Sequence, residues 1–330
     1  MEDRAPIEPR EELPEVSESL ESRRKSLRKE AGKAILFGGV IVLLHLVLLI
    51  CGVIGLRGIF RSILFVIGFA VIAGGVWELR RARNLTLEDL KSSEQEKDFA
   101  ESLKNTKPVF TWVILACLIA VGICQPVFES KESIEAAGLV KGATRQGEWW
   151  RLLTCATLHV NFMHIWMNGQ ALLGLGRLME SVASRYHLCL IFLLSALCGS
   201  IFSLLLLPNT TSAGASGGLT GLVGFLAVLG YRRKEELPRG FFKSIVISIC
   251  FIGVIGLVGF AIIDNAAHLG GLIAGALCGV AMIRRESQEM PIGASDTVKV
   301  LGVASLLAIA GISLFSILKI LHTFGFAFAK

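Results

Sequence analysis

Three short segments of the 330-residue sequence carry reactive polar side chains inside otherwise apolar stretches. LHVNFMHIWMNGQ holds His159, His164 and Asn168; GASG, at 214–217, holds Ser216; DNAAHLGGLIAGALCG opens on Asp264 and Asn265 and holds His268. A serine hydroxyl is a weak nucleophile until a base takes its proton, and a histidine does this near neutral pH. Acyl transfer also needs donors for the developing oxyanion. His164 and Asn168 offer side-chain donors, and the Ser216 backbone N–H at a helix N-terminus offers a third. His159 and His164 lack the glutamate and spacing of an HExxH site, and no aspartate pair sits deep in two spans. Neither metal nor cofactor is expected.

Polar groups in membrane spans are costly, which makes them functional candidates by default; whether these can meet depends on the elements that carry them. The chain is 53% hydrophobic and 18% charged, with a mean hydropathy of +0.65. Soluble domains run nearer one quarter charged. The apolar residues form blocks long enough to cross a bilayer core, which needs about 20 residues. The expected class is therefore an all-α polytopic membrane protein. Spans are expected at 34–55, 58–77, 109–127, 157–177, 187–207, 215–230, 242–263, 265–283 and 298–321.

The net charge of +6 does not indicate a nucleic-acid partner, because the basic residues sit beside apolar blocks, as at Arg80-Arg81, Arg232-Arg233-Lys234 and Arg284-Arg285. That is the positive-inside pattern. It places the tail 1–33, read as disordered, and the linker 78–107, read as partly helical, in the cytoplasm. The block 34–77 reads as a transmembrane hairpin turning at Leu56-Arg57-Gly58. Region 128–156 falls outside, as does the C-terminal Lys330. An uncleaved first helix would direct insertion, and the plasma (inner) membrane is the expected location. The eight cysteines have no metal-ligand spacing and read as small buried hydrophobes.

On this topology the spans carrying Ser216, His268 and the His164/Asn168 pair all run from outside to inside and bring these groups to one depth. His164 and Asn168 are four apart and share a helical face. Gly217 and Gly221 on one helix, and Gly271, Gly275 and Gly279 on the other, repeat the spacing that lets membrane helices approach closely. Close approach is what a Ser–His hydrogen bond requires.

WWRLLTCATLHVNFMHIWMN, GASG and DNAAHLGGLIAGALCG resemble, in order and spacing, the signature regions of the rhomboid family of intramembrane serine proteases. The resemblance covers roughly 108–285. It implies a six-helix core, here flanked by the N-terminal two-helix hairpin and one extra C-terminal helix at 298–321. It implies a serine endopeptidase with a Ser–His dyad in a water-filled cavity, cutting membrane-anchored proteins in or near their transmembrane segments. Ser216 would be the nucleophile and His268 the base, with His164 and Asn168 in the oxyanion hole. Trp150-Arg151 and Glu180 also match family positions. One departure stands out: Thr220 replaces the Tyr or Phe that often stacks on the histidine.

Asp264, four residues before His268, reads as a helix-start charge and not as a third triad member. His159 divides between a cavity-mouth role and a structural one, and His45 reads as a packed histidine. The competing class is non-enzymatic: a transporter, disfavoured because the sequence shows no internal repeat, or a rhomboid-like scaffold that binds transmembrane segments without cutting. Such scaffolds typically lack the nucleophile or the base, and this chain keeps both.

Overall fold

A computed structural model describes residues 14–52, 63–86, 94–127, 130–260, 262–284 and 290–323. The chain forms two compact units, residues 1–93 with 257–259, and residues 94–256 with 260–330. The described residues form thirteen α-helices and one two-stranded sheet.

The first unit pairs α1 (Pro14–Ile50) with α2 (Ile63–Arg83). A methyl group on Gly38 would lie 2.6 Å from the Gly68 carbonyl oxygen, and one on Gly75 would lie 3.0 Å from that of Ala31. The two backbones approach where side chains are smallest. His45 packs against Phe65, ring centroids 5.7 Å apart, in keeping with the packed role expected of it.

The polar stretch 1–33, expected to be disordered, is helical from Pro14 onward. No glycine or proline interrupts residues 15–31, and Glu21 stands four residues before Lys25. These residues also extend an apolar helix that is already nucleated, so the unfavourable first turn is not formed afresh. The hairpin turn expected at 56–58 lies outside the described residues.

The second unit opens with α3 (Glu94–Asn105), inside the expected linker, and α4 (Val109–Val127). Short elements follow: α5 (Ser130–Ala137), β1 (Leu139–Val140), α6 (Lys141–Arg145), α7 (Arg151–Thr154) and a 3-10 turn at Cys155–Thr157. Then come α8 (Phe162–Val182), α9 (Arg185–Leu206), β2 (Thr211–Ser212), α10 (Ser216–Arg232), α11 (Phe241–Val258), α12 (Asn265–Met282) and α13 (Asp296–Thr323). β1 pairs antiparallel with β2, Leu139 opposite Ser212. Each expected span has a helix. The one at 157–177 starts five residues late, at Phe162, because Asn161 caps it by accepting from the His164 N–H at 2.9 Å. His159 is therefore a loop residue.

Among the described residues α1, α9, α11, α12 and α13 are each long and apolar enough to cross a membrane, and α3 with α4 makes a sixth candidate bent by 51°. The chain is a multi-pass integral membrane protein. Helix α10 is central: Leu222, Phe225, Leu226 and Leu229 are fully buried. Helix α11 is the opposite, with only Ile245 and Gly256 buried and an apolar surface turned outward. Buried residues on α13 fall at Gly302, Ser305, Ile309, Ser313, Ser316 and Ile320, a three-and-four spacing that forms one face against α9 and α4.

Candidate active site

Ser216 is the first residue of α10, entered through a turn in which Gly214 adopts φ +139°, a conformation open to glycine and strained for other residues. A methyl group there would lie 2.7 Å from His164 Cε1, 2.9 Å from His164 Nε2 and 3.7 Å from Asn168 Nδ2. The turn ahead of Ser216 thus lies flat against the two α8 side chains. The Gly214 N–H donates to the Cys155 carbonyl at 2.9 Å, fastening the turn to the 3-10 segment. The buried Asn168 Nδ2 has no hydrogen-bond partner among the described residues.

His159 stands behind His164, ring centroids 5.1 Å apart and edge-on at 77°. Its backbone is gripped by one side chain: its N–H donates to Gln125 Oε1 at 2.8 Å, and Gln125 Nε2 donates to its carbonyl at 2.9 Å. The one sequence signal for Gln125 is a lone amide at the end of an apolar span.

His268 is the fourth residue of α12. A methyl group on Gly271 would overlap the Gly217 carbonyl oxygen, and one on Gly275 would overlap that of Gly221. The same register at both points means that α10 and α12 run parallel in backbone contact, with Ser216 and His268 near the same end. Gly224, not singled out from sequence, continues the seam against the Leu272 carbonyl. Gly279 faces Val228 instead. A third helix also enters: a methyl on Gly199 of α9 would lie 2.7 Å from the Ala267 carbonyl oxygen, and Ser195 Oγ fills the space beside Gly221. The four-residue spacing of Ser195, Gly199 and Ser203 was the available signal for that contact.

Thr220 sits in this seam. Its hydroxyl donates to the Gly217 carbonyl at 3.0 Å, and a methyl on Gly271 would lie 2.7 Å from it. The buried His268 Nδ1 has no hydrogen-bond partner among the described residues. Asp264 caps α12, its Oδ1 accepting from the Ala267 N–H at 2.9 Å, the helix-start role expected of it. A cavity of about 20 Å³ beside Ser216 is lined in part by Cys155, Ser200, Ser203, Ser212 and Asp264.

Residues 146–285 match the Rhomboid domain, a segment that holds all of these side chains except Gln125. That segment is similar in sequence to a rhomboid domain. The chain is 34% identical to rhomboid protease GluP of Bacillus subtilis, over 62% of this chain and 41% of GluP. It is 33% identical to RHOMBOID-like protein 4 of Arabidopsis thaliana, over 44% of this chain and 37% of that protein. It is 32% identical to Inactive RHOMBOID-like protein 8 of the same plant, over 41% of this chain and 38% of that protein. The chain thus spans less than half the length of each of these relatives.

Two further polar groups brace the matched segment. The Arg151 guanidinium donates to the Glu135 and Gly138 carbonyls at 3.0 and 2.8 Å, pairs with Glu148 at 2.5 Å and stacks 4.5 Å from the Trp150 ring. It ties α7 to the last turn of α5 and to Gly138, just before β1. Glu180 accepts from the Thr111 N–H and hydroxyl, both at 2.8 Å, and so supplies the first turn of α4 with an acceptor and a favourable negative charge.

Proposed function

We propose that the rhomboid domain is an intramembrane serine endopeptidase that cuts membrane-anchored proteins in or near their transmembrane segments. Ser216 Oγ attacks the scissile carbonyl, and His268 takes its proton and returns it to the leaving amine. The tetrahedral oxyanion is held by Asn168 Nδ2, the His164 ring and the N–H groups opening α10, which have no acceptor within their own helix. The observation that carries this reading is the Gly214 turn, which lays the serine's entry against His164 and Asn168. The glycine seam in turn keeps the histidine helix in contact with the serine helix. The distribution of basic residues supports a cytoplasmic N-terminus, and a plasma (inner) membrane is the proposed location.

A fluorophosphonate probe tests the nucleophile directly. It is expected to label the wild-type protein at Ser216 and to leave Ser216→Ala unlabelled. Equal labelling of both proteins would remove Ser216 from the mechanism.

The oxyanion donors have their own signature. Losing one donor costs about 10²–10³ in rate in studied cases, and several donors share the load here. His164→Ala with Asn168→Ala is expected to cleave a transmembrane substrate far more slowly than either single variant. Wild-type turnover in the double variant would make both residues structural.

A second reading, a scaffold that binds transmembrane segments without cutting them, draws on two observations. One relative is named as inactive, and Thr220 bonds its own helix where an aromatic residue would reach His268. The probe separates the readings, since a scaffold without an activated serine stays unlabelled.

A further inference from the structure

Beside Ser216 runs a chain of buried and half-buried polar groups that the proposed chemistry does not use. Lys141, at the start of α6, is only 2% exposed. Its Nζ donates to Thr210 Oγ1 at 2.7 Å and to Ser212 Oγ at 2.9 Å. Ser212 Oγ lies 3.0 Å from Ser203 Oγ, and the Ser203 hydroxyl donates to Asp264 Oδ2. An ammonium only donates and a carboxylate only accepts, so the two ends orient everything between them: Ser212 donates to Ser203, and Ser203 to Asp264. In a site of low dielectric such a chain strengthens along its length, and the opposite charges at its ends compensate one another. Burial pulls the Lys141 ammonium below its ordinary value, and the Asp264 charge pulls it back.

The anchoring points give the chain its consequence. Ser212 belongs to β2, two residues before Gly214 and four before Ser216. Asp264 caps the histidine helix, and its carbonyl accepts from the His268 N–H itself at 3.1 Å. Ser203 belongs to α9, the third helix of the glycine contact. The glycine seam sets how closely the two helices approach. A charged tether joining the serine's entry strand to the histidine's helix cap adds resistance to their sliding along one another.

We propose that Lys141 and Asp264 are positioning residues that, through Ser212 and Ser203, set the axial register of Ser216 against His268. The inference rests on the dyad reading above. Its test is the full-length protein in liposomes, with kcat and KM measured separately on a transmembrane substrate. Lys141→Met keeps the chain length without the charge, and Asp264→Asn keeps a capping oxygen without the charge. Each is expected to lower kcat by about 10- to 100-fold, the scale of a misplacement of about 1 Å, with KM unchanged. The double variant is expected to lose much less than the product of the two single losses, because removing both ends leaves no uncompensated charge. If Lys141→Met fails to accumulate, Ser203→Ala cuts the chain at its centre and is expected to lower kcat in the same way. Wild-type kcat in the single variants, losses that multiply in the double variant, or losses confined to KM would each overturn the tether. Ser216→Ala is run alongside. Activity surviving there overturns the dyad, whereas activity lost there and unchanged in the tether variants overturns only the tether.

Discussion

Ser216→Ala and His268→Ala are each expected to abolish cleavage of a transmembrane substrate while the protein remains in the membrane. An alanine at 216 has no atom to form the acyl intermediate, and a serine without its base keeps its proton at neutral pH. The members of such a pair act as a unit: removing nucleophile or base alone in subtilisin costs on the order of 10⁶ in kcat. The structural cost is small by comparison. Ser216→Ala removes one oxygen from a half-buried position at a helix start. His268 is also half-buried, and its Nδ1 has no partner to strand among the described residues. The measurement is release of the cleaved fragment from purified protein in liposomes, with the membrane-inserted amount determined in parallel. Activity retained by a clean Ser216→Ala preparation would rule out the mechanism. Metal chelators and pepstatin-type inhibitors are expected to leave the rate unchanged.

Gly275→Val is expected to lower cleavage by about 10²-fold without touching a reacting group. Even the first carbon of a side chain at Gly275 would overlap the Gly221 carbonyl oxygen. That atom is backbone in a buried helix and cannot swing aside as a side-chain tip would, so the two helices must part. An opening of an ångström or more at Gly275 is passed along α12 to His268, two turns away. The comparison is Leu277→Val, at a position 63% exposed on the outer side of the same helix. A valine at Ala274 would be a poorer comparison, since Ala274 is itself buried. Insertion and expression of both variants are read beside the rate. Full activity in Gly275→Val would mean that α10 and α12 do not meet at this face, and the Ser216–His268 pairing would lose its geometric basis.

The class, the helical segments and the candidate chemistry were legible in the amino-acid order alone. Apolar blocks of bilayer length leave the backbone little choice, because in lipid a helix satisfies its polar groups within one segment. Each expected span therefore has a helix. The polar residues on those spans were conspicuous because a serine, an asparagine or a histidine in lipid is expensive. The four-residue glycine spacing likewise announced a close helix contact, and Gly217, Gly221, Gly271 and Gly275 do meet. Local patterns predicted less well where polar residues adjoin a span. The charged stretch after Pro14 reads as unstructured alone, yet it continues as helix from the apolar segment behind it.

What surrounds the serine follows from how distant segments fold together. Gly214 is one glycine of a short motif until its φ and its contact with His164 and Asn168 are known. Gln125 grips His159 from 34 residues away, and Lys141 reaches Ser212 from 71. Nothing in periodicity or composition marks such pairs, since a hydrogen bond between side chains depends on where two separate elements come to rest. Asp264 illustrates the division. Its place one residue before a helix made it a cap, whereas its bond to Ser203 exists only because α9 lies across the start of α12.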